Sequence, residues 1–436
     1  MPNYGGFAKV STKLCLRRIF NNTGWTDLNP SSPFYLFVPR NEAQLDEYEK
    51  GWKLTDIFPV NSVGIVTSRD DFVLSFDEVK LKNRIEEFRE TGLKDDEIRD
   101  KYELHDNQDW NVADARKDIR IDNDYQKAFT KCLYRPFDIR SLFYHKAVIE
   151  RSRLEVMQHM LAGANLGFVS VRQVAEGVFN HVFVSNSIVE SRISLSNKGI
   201  GFLFPLYLYP IKEKVHINDK TGKQDGTQQL MVTQETRQAN LNPTFVTALS
   251  EKLGLRFIED GKGDLEGTFR PENIFNYAYA ILHSPTYRTR YAEFLKIDFP
   301  RLPLTSDKAL FKSLAEKGSE LVALHLMESS LLNTPITKYE VEGEHYVYKV
   351  SYDEKTQRVS INKTQYWEGV PSEVWNFHIG GYQVCEKWLK DRKGRKLTID
   401  DIDHYQKIVV AVKETLRLMR DIDETIEEHG GWPAAF

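Results

Sequence analysis

Tyr134-Arg135-Pro136-Phe137-Asp138-Ile139-Arg140-Ser141-Leu142-Phe143-Tyr144 is the stretch from which the fold is read. It follows a change of composition at Cys132, after which β-rich alternation runs to Pro210, as in half-buried strands. Residues 166–171, 182–184 and 201–204 read as further strands. One helix interrupts them at residues 153–161, with Leu154, Met157 and Leu161 on one side and Gly163 placed for a C-terminal cap.

Beyond this β-rich part the pattern changes. Residues 211–240 are polar and nearly free of core residues, which predicts a mobile surface loop. Asn242-Pro243 then supplies an N-cap and a first-turn proline, and Gly254 stops that helix. A second helix starts near Pro271 and should bend or break at Pro285. A third follows Ser306 and carries Leu310, Leu314, Leu321 and Leu324, and residues 346–350 and 358–362 read as a hairpin. Residues 382–390 read as a short helix. The last helix has the clearest signal: Thr398 and Asp401 form a capping box. Ile402, Tyr405, Ile408, Val409, Val412, Leu416, Met419, Ile422 and Ile426 follow at three- and four-residue spacing. Upstream, residues 33–38 form a proline-bounded apolar run, read as a strand. Residues 77–105 read as a charged surface helix buried along Leu81, Ile85, Phe88 and Leu93. The expectation is an α+β chain, with a mixed β-rich core and a helical C-terminal part.

The chain has 436 residues, 41% hydrophobic and 28% charged, proportions that exclude wholesale disorder and fibrous folds. Its length suggests two to three domains, divided here as 1–130, 131–210, 211–240 and 241–436. No apolar run approaches the roughly 18–20 residues of a membrane helix. Cys15, Cys132 and Cys385 lie far apart, which argues against a disulfide scaffold and points to a reducing, cytoplasmic setting.

Enzyme signatures are missing or broken. Residues 261–267 place three glycines with the wrong spacing for a dinucleotide loop, and no Gly-Lys-Ser/Thr follows. Asn29-Pro30-Ser31-Ser32-Pro33-Phe34 mimics the amino-methyltransferase Asn-Pro-Pro-aromatic site, but two serines destroy the spacing. No His-Glu-x-x-His or Gly-x-Ser-x-Gly occurs. No catalytic or metal-ligating residue is therefore named.

Charge is concentrated instead. The formal net charge is −4, yet residues 131–200 hold nine basic and five acidic side chains. Such separation can make a phosphate-binding face on an acidic protein. Arg135, Arg140, Lys146, Arg151 and Arg153 are candidate phosphate contacts there. A second cluster, Lys387, Lys390, Arg392, Lys393 and Arg395, is a candidate clamp on the far backbone. Arg172, Gln173, Arg192, Asn197 and Lys198 sit in loops and have the chemistry to read base edges.

Several blocks resemble the C-terminal specificity region of type ISP restriction-modification enzymes. They are Tyr134-Arg135-Pro136-Phe137-Asp138-x-Arg140, Arg153-x-Glu155-Val156-Met157-x-His159-Met160 and Gly201-Phe202-Leu203-Phe204-Pro205-Leu206-Tyr207-Leu208-Tyr209. His283-Ser284-Pro285-Thr286-Tyr287-Arg288 and Gly380-Gly381-Tyr382-Gln383-Val384-x-Glu386-Lys387-Trp388-Leu389 continue the likeness. Family members join a nuclease, an ATP-driven translocase, a coupler, an N6-adenine methyltransferase and this target recognition region in one polypeptide. The resemblance implies that residues 131–210 are a recognition core for double-stranded DNA. It makes 1–130 a connecting segment after a missing methyltransferase core. S-adenosylmethionine, ATP and Mg are expected only in the complete enzyme, with no cofactor in this chain. Its partners would be DNA and the methyltransferase and translocase/nuclease modules, with no membrane. Such a chain would be a fragment, a gene remnant or a separately encoded subunit. Two other readings compete: a docking subunit of a methyltransferase without DNA binding of its own, and a small enzyme with an unrecognised carboxylate-metal site.

Overall fold

At Pro136-Phe137 the chain reverses on itself. Arg135 and Asp138 are register partners of an antiparallel pair, and Phe137 takes φ 61°, in the left-handed region that most side chains avoid. The computed structural model describes residues 41–436 except 91, 176, 195–198, 211, 216–228, 233–235, 260, 262 and 340–341. Side chains of 212–215 and 229–232 are also outside the description. The run at 33–38, the Asn29–Phe34 mimic, Cys15, Asn197 and Lys198 lie outside the described residues. The fold described below is the unit Gln44–Phe436.

Eight strands position the candidate site: β1 (Ser62–Val63), β2 (Leu74–Ser75), β3 (Phe129–Arg135), β4 (Asp138–Phe143), β5 (Gly167–Val171), β6 (Phe183–Ser185), β7 (Ile188–Val189) and β8 (Gly201–Pro205). One sheet has the order β1-β8-β5-β6, antiparallel throughout. The other has the order β2-β4-β3-β7, with only β3 and β7 parallel. Each sheet thus takes one strand from before residue 76 and the rest from residue 129 onward. β5 and β6 are buried at every residue, which explains their near-continuous apolar sequence.

Seven helices matter to the argument: α1 (Leu154–Leu161), α2 (Pro243–Leu253), α3 (Pro271–His283), α4 (Pro285–Arg290), α5 (Lys308–His325), α6 (Val384–Lys390) and α7 (Ile399–Glu428). Their ends follow the sequence signals. Asn242 accepts the Thr244 N–H at 2.9 Å, Gly254 closes α2 in the left-handed region, and Pro285 starts a new helix after Ser284. On α7, Thr398 Oγ1 accepts the Asp401 N–H at 3.0 Å while the Asp401 carboxylate accepts the Thr398 N–H at 3.0 Å. The fold is α+β, with its helices concentrated towards the C-terminus.

Four local expectations differ from the structure. Residues 77–105 form two helices, Glu78–Arg89 and Asp95–Tyr102. Between them the Arg116 guanidinium, itself buried, takes the backbone carbonyls of Phe88, Glu90 and Leu93. Within 211–240, Lys212–Val215 pairs with Gln229–Val232 as an antiparallel hairpin. Residues 346–350 are not a strand of the later hairpin, which joins Ser351–Asp353 to Arg358–Ser360. Val347 is instead bonded to the 394–395 backbone, its N–H donating to the Arg395 carbonyl at 2.9 Å. α1 ends on Ala162 in right-handed geometry, so Gly163 is not a left-handed cap.

The core draws on the aromatic content. Trp367 and Trp388 are buried against Tyr405 of α7, with ring centroids 4.4 and 5.7 Å away. Imidazoles are buried beside them. His325 Nε2 lies 2.9 Å from Thr415 Oγ1, and its ring stacks on Phe183 of β6 at 5.1 Å. Burial, reinforced by Arg288, pulls His181 down to about 4 and His325 down to about 3. The same causes lower His283, and burial lowers His404.

His181, His283 and His325 stay neutral in the folded chain, while unfolded histidine takes up a proton near pH 6.5. The unfolded state therefore binds more protons, and stability falls as pH drops below about 6.5. Urea midpoints measured between about pH 6.5 and 5 should decrease steadily. Substitution of His325 by Gln should make that slope shallower by about 1.4 kcal/mol per pH unit.

Candidate nucleic-acid interface

Asp138 is 1% exposed and holds two arginines. Its Oδ2 accepts from Arg140 Nη2 at 2.7 Å, and its Oδ1 accepts from Arg392 Nη2 at 2.9 Å. Burial disfavours the carboxylate, yet Arg392 and Arg140 outweigh it and keep the Asp138 pKa below the ordinary value. Arg392 is itself buried, stacked 3.3 Å over the Trp388 ring and bonded to the Trp388 carbonyl at 3.0 Å. Arg135, across the turn, is buried against Glu190 at 2.6 Å. Phe137 points into the helical core against Phe183 and His325, and its carbonyl accepts from His404 Nε2 at 2.8 Å.

This geometry corrects three expected phosphate contacts. Arg135, Arg140 and Arg392 are not presented to solvent, because their charge is already spent on Glu190, Asp138 and Asp391 inside the fold. Removing such charges from water is costly, and only the paired carboxylates make it tolerable. Arg395 is half-buried, stacked 3.8 Å over the Phe76 ring. Lys387 pairs with Asp391, and Lys390 pairs with Glu386 at 2.8 Å. Lys393 is exposed and has no carboxylate at ion-pair distance among the described residues.

Lys146, Arg151 and Arg153 come together. They line one open cleft of about 610 Å³ together with Arg69, Asn107 and Trp110 and with the acidic side chains Asp109, Glu150 and Glu155. None of the three cations has an ion-pair partner among the described residues. Arg153 takes φ 53° at the start of α1, and its Nε is buried without a hydrogen-bond partner. Arg69 and Trp110 were not singled out from sequence. The guanidinium lies 3.8 Å over the indole and donates to the Val148 carbonyl at 3.2 Å, while the indole N–H donates to the Ala147 carbonyl at 2.6 Å. Residues 69 and 110 are far from 146–153 in sequence, so no local pattern announces the pairing.

Of the base-reading candidates, Arg172, Gln173 and Arg192 gather at one end of the first sheet. Val171 of β5 pairs with Gly201 of β8, so Arg172 and Gln173 leave the sheet where the 192–200 segment enters it. Gly201 donates to the Ser191 carbonyl at 2.8 Å, placing Arg192 at the same end. Gln173 and Arg192 are exposed; Arg172 is exposed but paired with Asp298 at 3.2 Å, and Asp298 also holds Lys53 at 2.8 Å. The hairpin turn at Gly380-Gly381 braces this end. Gly381 donates to the Ser194 carbonyl at 2.9 Å, and a Cβ on Gly380 would lie 1.8 Å from that oxygen. The cleft and the sheet end are joined by one segment. Val66 exchanges backbone bonds with Arg151 at 3.0 Å, and the carbonyl of its neighbour Ile65 accepts from Ser191 at 2.9 Å.

With the geometry in place, comparison identifies the fold. A family model, the type ISP C-terminal specificity domain, matches residues 56–421. The chain belongs to that family. A search of the curated proteins finds no match. Among solved structures, a nuclease-deletion mutant of the type ISP restriction-modification enzyme LlaGI, in complex with a DNA substrate mimic, is 18% identical with a TM-score of 0.62. That likeness covers 94% of this chain and 37% of LlaGI. The cryo-EM DrdV–DNA complex is 20% identical with a TM-score of 0.64, covering 92% of this chain and 40% of that one. ATP-dependent type ISP LlaBIII bound to DNA is 15% identical with a TM-score of 0.62, covering 86% and 24%. The specificity-domain chain described here therefore spans well under half the length of each. Among its described residues no group of His, Cys, Asp and Glu is placed to hold a metal ion, and no helix is long and apolar enough to cross a membrane.

Scaffold and surface charges should separate on mutation. Arg135→Ala, which strands Glu190, and Asp138→Ala, which strands two arginines, should each cost about 3–5 kcal/mol. Lys146→Ala should stay within about 0.5 kcal/mol. Urea unfolding of the three variants distinguishes these cases.

Proposed function

We propose that this type ISP specificity domain binds duplex DNA and reads its sequence, with the chemistry of methylation and restriction carried by other domains of a complete enzyme. One observation carries the reading. The cations Lys146, Arg151, Arg153 and Arg192, none with an ion-pair partner among the described residues, lie along a border that runs continuously, through Ile65 and Val66, from the cleft to the sheet end with its exposed amide and guanidinium groups. Phosphate-seeking charge next to side chains with base-edge chemistry is the division of labour that DNA readout requires. The titles of the matched structures, which describe complexes with DNA or a DNA mimic, support it.

In this scheme Lys146, Arg151 and Arg153 contact phosphates and set register, with Lys393 on a separate segment as a further contact. Arg172, Gln173 and Arg192 face base edges, and Asn197 and Lys198 belong to the same connection before β8. Arg172 must exchange Asp298 for a base, so its contribution is net of an exposed ion pair worth little in water.

The test is a selection from random duplexes with the purified chain at two salt concentrations. An enriched motif is expected, whereas salt-sensitive retention without a motif would leave electrostatic binding alone. Arg151→Ala should weaken all sequences alike and lower the salt slope by roughly one unit. Arg172→Ala should instead relax preference at one position, by about 1–3 kcal/mol. Equal losses on cognate and random duplexes would remove Arg172 from the reading set.

A further inference from the structure

Val178 is 71% exposed, on the loop that joins β5 to β6 at the same sheet end as Arg172, Gln173 and Arg192. The loop is not loose around it. Val174 is 6% exposed and its N–H donates to the Lys296 carbonyl at 3.2 Å. Phe179 is 3% exposed, and the Asn180 carbonyl accepts from Gly380 at 3.1 Å while its Nδ2 donates to the His378 carbonyl at 3.1 Å. Both shoulders are therefore held by the core. Between them Gly177 takes φ 81° with open space where a Cβ would stand, and Val178 follows it into solvent.

Ile200, 46% exposed, stands just before β8, on the strand that pairs with β5. Two exposed apolar side chains thus stand at the sheet end that also carries exposed guanidinium and amide groups. A protein-docking face would gather apolar residues into a contiguous patch of several hundred Å². A small apolar tip at an end that also carries cations fits a different surface: the major groove, where thymine alone offers an apolar group, its C5-methyl.

We infer that Val178 is a specificity-determining residue that packs on a thymine C5-methyl in the recognised site, beside Arg172 and Gln173. The inference rests on the DNA-reading function proposed above. β-Branching leaves the valine side chain little freedom at χ1, so the anchored loop delivers its methyls at small entropic cost.

The probe is deoxyuridine, which removes that methyl and keeps the pairing edge. In duplexes carrying the selected motif, each thymine is replaced in turn. Wild-type chain should lose roughly fourfold in affinity at one position, the value of one buried methyl. Val178→Ala should lose a similar factor on the thymine duplex, show no further loss with uracil at that position, and keep the wild-type urea midpoint. Indifference of the wild type to uracil everywhere, a motif without thymine, or a full uracil penalty retained by Val178→Ala would each overturn the assignment. Failure to select any motif would instead defeat the DNA-reading function itself, and this inference with it.

Discussion

The Asp138 carboxylate, clamped between Arg140 and Arg392, ties together segments 254 residues apart in the chain. It sits at the tightest reversal of the second sheet, and Arg392 sits just past α6. Three charges buried in one place depend on one another, since each loses water that the others largely replace, with Asp391 and Asp401 standing 3.6 and 3.5 Å from the two arginines. The turn that Asp138 fixes also aims Phe137 at Phe183 and His325, so the sheets and the helical part meet through it. Glu190, paired with Arg135, belongs to the segment from which Arg192 projects; the Arg192 N–H donates to the Glu190 carboxylate at 2.8 Å. The inner ion pairs thereby set where the outer cation stands.

Positive charge in this chain does two jobs that composition alone cannot separate. Arginine serves the interior, because its planar guanidinium can pair with a carboxylate and stack on an aromatic ring at once. Arg392 on Trp388 and Arg135 on Tyr134, at 3.3 and 3.9 Å, show both contacts together. The cations of the open cleft lie beside acidic neighbours such as Glu150 and Glu155. A surface of this kind attracts a polyanion locally while the chain as a whole stays acidic. Its affinity would depend strongly on salt.

Structures only 15–20% identical share the architecture over 86–94% of the chain. In this chain β5 and β6 are hidden at every position, and α7 is buried all round from Ile408 to Val412. Cores accept many side chains of suitable size and polarity. Loops such as 172–182 keep buried anchors, here Val174, Phe179, His181 and Val182, and can vary between them.

The sequence by itself determined the elements whose signals are local. The capping box of α7, the Asn242-Pro243 start of α2, the break at Pro285 and the strands β5, β6 and β8 were all legible, because caps, prolines and periodicity act within a few residues. The family, too, was legible from its blocks. The sequence could not show that the charges of Arg-Pro-Phe-Asp-x-Arg face inward, since Glu190, which holds Arg135, and Arg392, which holds Asp138, lie 55 and 254 residues away. Nor did it reveal the Arg69–Trp110 contact or the bracing of Ser194 by Gly380 and Gly381. Only the tertiary structure decides which charges are neutralised and which remain for a ligand, because a charge's energy depends on what surrounds it in space and not on its neighbours in the chain.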